Sequence, residues 1–420
     1  MGCNSMISRD GTFSCLGSLG RAIFAFALLG ACGGTSGDDA GAVPTFSGEV
    51  VPPYPSLADP AASDTTDGSS ADGLQPVLPL EPGTAAPGGP SEAMAPPMLT
   101  PMDTLPAQPA LPPVPAGATP VAAHGHLHVD GTRLVDERGA DVQLKGVSTM
   151  WLNWESRFSA SKAGLAWMRD NWNVSVIRAA MGVEPNGAYL TDPEEALGRV
   201  REVVQNAIDV GVYVVIDWHD HNAHLHLAQA TSFFSQVAAE FGESPNVLYE
   251  TYNEPLNVNW SSVIKPYHEA VLRAIRAEDP DNVAILGTRS WSQRVDEAAL
   301  NRVAGDNLMY TVHFYACDHG ASQRRQAEAA YNAGLPLFVT EWGATPADGG
   351  ADAPEVCEAE ATLWHDWLDE RSIGWAAWKL DGCRDSSCFF TSRNAPADGG
   401  WTDQWLNGHA RFVVQRLLRE

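Results

Sequence analysis

Hydrophobic residues in the C-terminal two thirds of the chain follow two alternating patterns. Short β-branched and apolar runs, typical of buried parallel strands, are followed by longer stretches with apolar residues at helical spacing. The stretch 192–211 has acidic residues in its first turn and ends at Gly211, which predicts a helix. Strands are predicted at 142–147, 174–180, 212–218, 246–253, 282–288, 308–315, 336–342 and 373–380.

Eight strand–helix units in about 280 residues predict an α/β fold, the (β/α)8 TIM barrel. An open doubly wound sheet is the alternative, but "GVSTMW" (146–151) stands where that fold would place a Gly-rich phosphate loop. Ahead of the first strand, "LHVDGTRLVDERG" (127–139) alternates around Asp130-Gly131, a strong hairpin signal. We therefore expect a short N-terminal β-hairpin and a barrel domain over residues 123–420.

The first 122 residues have a different composition. Residues 32–122 hold 19 of the 29 prolines and ten acidic residues but no Lys or Arg, which predicts a disordered acidic linker. Within residues 1–31, Arg21 precedes an apolar run that is too short to span a membrane, as in a signal peptide. This run ends in "LLGAC", which resembles a bacterial lipobox and predicts lipidation of Cys32. An ordinary secretory signal is the alternative.

The net charge and the cysteines indicate which partners, disulfides and cellular location the protein can have. The formal net charge of −26 makes nucleic acid an unsuitable partner and fits a neutral or polymeric substrate. Export would permit disulfides, and Cys317, Cys357, Cys383 and Cys388 allow three connectivities. The short spacing of Cys383 and Cys388 favours their pairing, which leaves Cys317 with Cys357. We expect a monomer without a cofactor, either anchored to the cell envelope through the lipid on Cys32 or secreted.

Active sites of such barrels lie at the C-terminal strand ends. The predicted strand ends and the loops after them carry Trp154, Arg178, His219, Asn253, Glu254, Trp291, His313, Tyr315, Glu341 and Trp378. Glu254 and Glu341 are about three units apart, so their strands face each other across the barrel mouth. Two carboxylates on either side of a scissile bond are what glycoside hydrolysis requires, and tryptophans can stack on sugar rings.

The motifs at these strand ends resemble those of glycoside hydrolase family 5, and of its bacterial endo-β-1,4-glucanases (cellulases) in particular. The resemblance runs through most of residues 124–420. It rests on "YETYNEPL" (249–256), "LFVTEWG" (337–343), "VIRAAMG" (176–182), "VVIDWHDH" (214–221), "GTRSWSQ" (287–293) and "TVHFYA" (311–316). The N-E-P motif paired with the later T-E-W-G is specific to this family.

The resemblance implies a retaining mechanism with Glu254 as acid/base and Glu341 as nucleophile. Arg178 would keep Glu341 ionised, because a neighbouring positive charge favours a carboxylate. By the same resemblance, Asn253 would bind the substrate 2-hydroxyl, and Tyr315, His313 and His219 would form the network around Glu341. Trp378 would stack on the sugar at the cleavage point, and Trp154 and Trp291 would hold flanking sugars. Met150 and the loop "KLDGCRDSSC" (379–388) depart from the pattern of many relatives, so fine specificity is open.

The stretch "DWHDHNAHLH" (217–226) raises an alternative, a metal-dependent barrel hydrolase that uses His219 and His221. Such enzymes need further His and Asp ligands at other strand ends, where Asn253, Glu254 and Glu341 stand instead. We therefore interpret His219 as an active-site residue and His221, His224 and His226 as loop and helix-start residues. A β-mannanase or xyloglucanase with the same mechanism, and a non-catalytic carbohydrate-binding lipoprotein, are further alternatives.

Overall fold

A computed structural model describes residues 117–155, 157–347 and 356–419. The predicted signal peptide, Cys32 and almost all of the predicted linker lie outside these residues. The strands are β1 (His128–Asp130), β2 (Arg133–Val135), β3 (Lys145–Thr149), β4 (Val176–Gly182), β5 (Tyr213–His219), β6 (Val247–Glu250), β7 (Ala284–Leu286), β8 (Leu308–Thr311), β9 (Phe314–Tyr315), β10 (Leu337–Gly343) and β11 (Trp375–Leu380).

Helices follow most of the strands. They are α1 (Pro120–His124), α2 (Lys162–Trp172), α3 (Pro193–Val210), α4 (Leu227–Phe241), α5 (Lys265–Glu278), α6 (Arg289–Ser292), α7 (Val295–Leu300), α8 (Ala321–Asn332), α9 (Glu358–Asp369) and α10 (Gly408–Leu417). The predicted helix at 192–211 is confirmed as α3. The Asp192 side chain accepts a hydrogen bond from Glu195 N at its start, and Gly211 ends it in the left-handed conformation at φ 80°. None of the helices in the described part of the chain is both long and apolar enough to cross a membrane.

Eight parallel strands form a closed barrel, as the sequence predicts. β3, β4, β5, β6, β7, β8, β10 and β11 pair in this order, and β11 pairs with β3 to close the ring. The short strand β9 pairs with β10 above β8. Each predicted strand overlaps one barrel strand, but the first begins three residues and the second two residues later than predicted. Val142 and Leu144, taken as part of the first strand, instead lie in the apolar layer inside the barrel.

The barrel interior changes from apolar to polar along its axis. Side chains point alternately into and out of a strand, so Tyr213 and Val215 of β5 lie in the interior apolar layer, and Asp217 and His219 follow on the same face. The predicted hairpin β1–β2 contributes Leu127 and Leu134 to this apolar layer. The polar end is therefore the C-terminal end of the strands, where a barrel active site is expected.

Two disulfides tie down segments around that end. Cys317–Cys357 joins the segment after β9 to the start of α9, and Cys383–Cys388 closes a short loop after β11. These are the pairs that the spacing favoured. Both segments follow strands that carry predicted site residues, Tyr315 on β9 and Trp378 on β11.

Candidate active site

Glu341 is held through both carboxylate oxygens. Tyr315 donates its hydroxyl to Oε1 at 2.7 Å, and Arg178 Nη1 donates to Oε2 at 2.8 Å. The side chain is almost buried, yet it keeps a small exposed fraction at the barrel mouth. These contacts fix the orientation of the carboxylate, as a nucleophile requires.

A β-bulge in β10 aims Glu341 into the barrel. The register between β10 and β11 shifts between Val339 and Trp342, so one residue more than strict alternation allows lies between them. Val339 and Trp342 face the outer core, whereas Thr340 and Glu341 both contact interior polar side chains. A regular strand would have turned one of these two side chains outward.

Arg178 is the central cation of the site and is fully buried. Its guanidinium donates to Glu250 from Nε at 2.7 Å and from Nη2 at 3.2 Å, and to Asn253 Oδ1 at 2.6 Å. Asp217 Oδ2 lies 2.9 Å from Nη2. Burial alone would lower the pKa of Arg178, but the surrounding carboxyl groups raise it, so the guanidinium stays charged.

Asp217 and His219 form a hydrogen-bonded pair beside Arg178. Burial and the neighbouring carboxylates raise the pKa of Asp217 well above its usual range, despite Arg178. Burial and the nearby cations lower the pKa of His219 well below its usual range. His219 Nδ1 lies 2.7 Å from Asp217 Oδ2, and its Nε2 accepts from Asn253 Nδ2 at 3.3 Å. Asn253 is therefore fixed from both ends, by His219 and by Arg178.

Glu254 lies between two histidines. Its Oε1 is 2.9 Å from His313 Nδ1, and its Oε2 is 3.3 Å from His221 Nε2. Burial raises the pKa of Glu254, but the hydrogen bonds from His221 and His313 outweigh it and lower this pKa to about 2. Burial lowers the pKa of His313, but its hydrogen bonds to Glu250 and Glu254 raise it to about 9. The carboxylate is thus ionised and His313 is cationic at neutral pH.

The contacts of His313 and His221 differ from the predicted ones. His313 was expected in the network around Glu341, but its nitrogens contact Glu254 and, at 2.9 Å, the Thr340 hydroxyl. His221 lies in the loop after β5, as predicted, but its ring contacts Glu254, which the sequence did not predict. His224 and His226 do lie in the turn before α4 and at its start.

Aromatic rings line one side of the two carboxylates. Trp378 stacks on His219 with ring centroids 5.2 Å apart, and Trp151 meets the same ring edge-on at 4.6 Å. Trp154 stacks on Trp151 at 4.7 Å and keeps 41% of its surface exposed. Met150, where many relatives were expected to have histidine, packs against this aromatic cluster. Exposed indole faces next to carboxylates provide a surface on which sugar rings can stack.

Trp291 lies on the other side, in a left-handed turn. Ser290, Trp291 and Ser292 all have positive φ, at 57°, 55° and 55°. Three consecutive residues of this kind store backbone strain, which is typical of functional sites. The turn is held because Trp291 N donates to Pro255 O at 2.9 Å and Ser292 Oγ donates to Asn253 O at 2.7 Å.

The geometry does not favour a metal centre at His219 and His221. Both nitrogens of His219 already have partners, and its ring lies 6.4 Å from that of His221, nearly perpendicular to it. Within the described residues, neither histidine belongs to a group of three side chains whose potential metal-binding atoms lie together. One such group contains Glu254, His313 and Glu341, but both nitrogens of His313 already have protein partners, Glu254 and Thr340.

Five residues contribute to this site without having been assigned a role from sequence. Glu250 and Asp217 hold Arg178, Thr340 links His313 to Glu250, His221 contacts Glu254, and Trp151 supports Trp154. Glu250 could have been found, since it is a charge within the strongly apolar run "VLYETY" (247–252), where burial is costly without a partner.

Comparison with known proteins identifies a single family. The family model Cellulase (glycosyl hydrolase family 5) matches residues 135–383. Endoglucanase 5 of Pectobacterium carotovorum subsp. carotovorum is 40% identical over 304 residues, which cover 71% of this chain and 59% of that protein. Endoglucanase N of Pectobacterium atrosepticum is also 40% identical over 304 residues, covering 71% of this chain and 67% of the relative.

Solved structures agree with this. The catalytic domain of Thermobifida fusca endoglucanase Cel5A, determined in complex with cellotetraose, superposes with a TM-score of 0.68 at 33% identity. The match covers 72% of this chain and all of that domain. The shared part of the chain is thus the barrel, and the curated relative Endoglucanase 5 extends well beyond it.

Proposed function

The chain belongs to glycosyl hydrolase family 5 and is a glycoside hydrolase, and we propose that it is a retaining endo-β-1,4-glucanase acting on cellulose or related β-glucans. In this proposal Glu254 is the acid/base and Glu341 is the nucleophile. The names of the relatives, all endoglucanases, and the cellotetraose bound to the Thermobifida fusca domain support the choice of substrate.

One distance carries the mechanistic part of the proposal. A carboxylate oxygen of Glu254 and one of Glu341 lie within 4.8 Å of each other. Retaining glycosidases hold their two carboxyl groups about 5–5.5 Å apart, whereas inverting enzymes need about 6.5–9.5 Å to admit a water. The short separation therefore supports double displacement with a covalent glycosyl-enzyme.

The contacts of each carboxylate suit its proposed role. Glu341, oriented by Tyr315 and Arg178, attacks the anomeric carbon while Glu254 gives a proton to the leaving-group oxygen. In the second step Glu254 takes a proton from a water, and this water cleaves the ester on Glu341. Asn253, held by Arg178 and His219, is in position to bind the 2-hydroxyl of the sugar bonded to Glu341.

Tryptophans are proposed to supply the sugar-binding platforms. Trp378, packed on His219, would stack on the sugar at the cleavage point, and Trp154 would stack on a flanking sugar. Trp291, held by the left-handed turn on the opposite side, would stack on a sugar of the leaving group. The wet, exposed face of Trp154 is consistent with a cleft that is open to a polymer chain.

Reducing-end release from carboxymethylcellulose tests the proposal, with and without EDTA. We expect activity that EDTA does not change, and loss of turnover in Glu341→Gln with an unchanged unfolding midpoint. Near-normal activity of Glu341→Gln would refute the nucleophile assignment, and activity lost to EDTA would revive the metal-dependent alternative. If wild-type protein cleaves mannan or xyloglucan but not β-glucan, the same mechanism serves a different substrate. No activity on any of them would favour a carbohydrate-binding protein.

We further propose that residues 1–31 are a lipoprotein signal peptide and residues 32–122 a linker that extends the catalytic domain, 123–420, away from the cell envelope. The lipobox-like run before Cys32 and the acidic, Pro-rich composition support this. Cys32→Ser should move the protein from the membrane fraction of a bacterial host to the soluble fraction, and an unchanged distribution would refute the anchor.

A further inference from the structure

The acid/base carboxylate presents a chemical problem in the free protein. A general acid must carry a proton, yet the hydrogen bonds of His221 and His313 hold Glu254 ionised. The proton that the reaction needs must therefore be stored on a neighbour and reach Glu254 when substrate binds. Two histidines contact the carboxylate, one at each oxygen, and their surroundings differ.

His313 is fixed as a cation. Only 2% of its side chain is exposed, Nε2 lies 2.9 Å from Thr340 Oγ1, and Glu250 Oε1 lies 3.6 Å from the same nitrogen. Thr340 donates its own hydroxyl to Glu250 at 2.7 Å, so the imidazolium is bound to a carboxylate on both sides. Because its proton at Nδ1 is stabilised by two negative charges, His313 is a poor donor to Glu254.

His221 is the exchangeable partner. It is on the loop after β5, and 19% of its side chain is exposed, compared with 13% for Glu254. It faces Glu254 on the segment after β6, Glu341 on β10, Asp220 in its own loop and His219 on β5, and its ring lies 6.2 Å from that of Trp151 after β3. Burial lowers its pKa, but the hydrogen bond to Glu254 and the nearby carboxylates raise it above the ordinary histidine value.

We propose that His221 is a positioning residue that shares one proton with Glu254 and places it on Oε2, the oxygen that protonates the leaving group. The inference rests on the proposed function and deepens it. In the free enzyme the proton is on His221 Nε2, and the pair is ionic. When substrate binds, the proton moves to Glu254 Oε2, and both partners become neutral.

The protons and bonds of the reaction balance without another reactant. The proton on Oε2 passes to the leaving-group oxygen as the glycosidic bond breaks and the bond to Glu341 forms. Glu254 is then a carboxylate and His221 is neutral. In the second half Glu254 removes a proton from the attacking water, and this proton returns to His221 when the product leaves.

Substrate supplies the driving force for the transfer. A sugar chain on the Trp151–Trp154 surface would expel water from the exposed edge of the His221–Glu254 pair. Loss of water disfavours separated charges more than a neutral pair, so the proton shifts to the carboxylate. Because His221 is partly exposed, bound substrate removes water from it and changes its charge. His313 is already buried, so substrate does not change its charge.

The test is His221→Gln in the full-length protein, because glutamine retains a donor at a similar reach but cannot titrate. The pH dependence of kcat/KM is measured on cellopentaose and on 2,4-dinitrophenyl β-cellobioside, whose leaving group needs no acid. On cellopentaose, kcat/KM falls at alkaline pH when the His221–Glu254 pair loses its proton. We expect this alkaline limb of the pH profile to move down by at least about one pH unit in the variant, because only Glu254 is then left to hold the proton. At pH 7 kcat/KM should fall roughly tenfold or more on cellopentaose and stay within about twofold on the activated substrate.

His224→Gln is the matched control, because His224 lies three residues further on and contacts the Tyr252 hydroxyl rather than Glu254. It should leave the alkaline limb unchanged. An unchanged limb in His221→Gln, or an equal fall of kcat/KM on both substrates, would overturn the inference. His221→Asn, which also cannot titrate, must give the same limb if His221→Gln folds poorly. Wild-type protein that cleaves neither substrate would instead refute the proposed function.

Discussion

Replacing Arg178 by methionine tests the electrostatic organisation of the whole site. Arg178 is fully buried and lies within hydrogen-bond distance of Glu250, which is fully buried, and of Glu341, which is almost buried. Methionine fills similar space and carries no charge, so two carboxylates would lose their direct counter-ion. Removing one partner of a buried ion pair costs about 3–5 kcal/mol, because the other charge is left uncompensated. We expect the free energy of unfolding at pH 7 to fall by about this amount.

The fall in the free energy of unfolding caused by Arg178→Met should become smaller as the pH is lowered. In wild-type protein burial raises the pKa of Glu250, but Arg178 and His313 together outweigh it and the net shift is downward. Glu250 then contributes stability above its unfolded-state pKa. Without Arg178 only His313 opposes the effect of burial, so this pKa rises and the folded variant binds a proton more readily than folded wild-type protein does. The deficit relative to wild type should therefore be largest near pH 7 and shrink as the pH falls toward 5.

Urea unfolding followed by tryptophan fluorescence measures the free energy of unfolding of wild type and variant at pH 7 and at pH 5. Arg201→Met is the matched control, because Arg201 pairs with Glu240 at 2.7 Å on the surface, where both side chains are well exposed. It should cost no more than about 1 kcal/mol at either pH. If Arg178→Met loses no more than Arg201→Met, or if its deficit grows on acidification, the reasoning is refuted.

Three further predictions concern catalysis and stability. Glu254→Gln should abolish hydrolysis of cellopentaose but retain cleavage of 2,4-dinitrophenyl β-cellobioside, and equal losses in steady-state assays would contradict the acid role. Trp154→Ala should raise KM for cello-oligosaccharides about threefold to tenfold with little change in kcat, and a fall in kcat alone would contradict a binding role. Reduction of the disulfides should lower the free energy of unfolding in urea, by about 4 kcal/mol for the 40-residue Cys317–Cys357 loop and about 2 kcal/mol for the 5-residue Cys383–Cys388 loop. If the midpoint of urea unfolding did not change in dithiothreitol, although mass spectrometry showed four free thiols, the stabilising role of the disulfides would be contradicted.

The barrel could be predicted because each strand and helix is indicated by residues within its own segment of the sequence. Strand β5 begins with an unbroken apolar run, 213–216, and helix α3 carries both its Asp192 cap and its Gly211 stop in the sequence. The first strand was placed three residues early for a physical reason. Val142 and Leu144 are apolar because they fill the barrel interior below β3, and hydrophobicity does not distinguish an interior residue in a strand from one just before it.

The site was less predictable where contacts depend on departures from regular geometry. Alternation places Asp217 and His219 on one face, but it cannot place Thr340 and Glu341 together, since that requires the bulge in β10. His221 lies past the end of β5, where the path of the loop decides its contacts and periodicity says nothing. Trp151 lies closer to the strand than Trp154 and was passed over, although it is the ring on which Trp154 stacks.

The charges of the site explain why it needs so many ionisable residues. The carboxyl groups of Glu250, Glu254 and Glu341 face the cations Arg178 and His313 and the protonated His221 of the proposal, so the groups of opposite sign are paired. Transfer of the His221 proton to Glu254 removes one charge of each sign. Formation of the ester on Glu341 then removes a negative charge, while Glu254, having given its proton to the leaving group, becomes negative again. Each step therefore removes charges in opposite pairs or moves a negative charge from one carboxyl group to the other, and at neutral pH no proton has to come from bulk water, because His221 holds it in advance. A low-dielectric barrel mouth penalises net charge more than it penalises paired charges, so a site built in this way avoids that cost throughout the reaction.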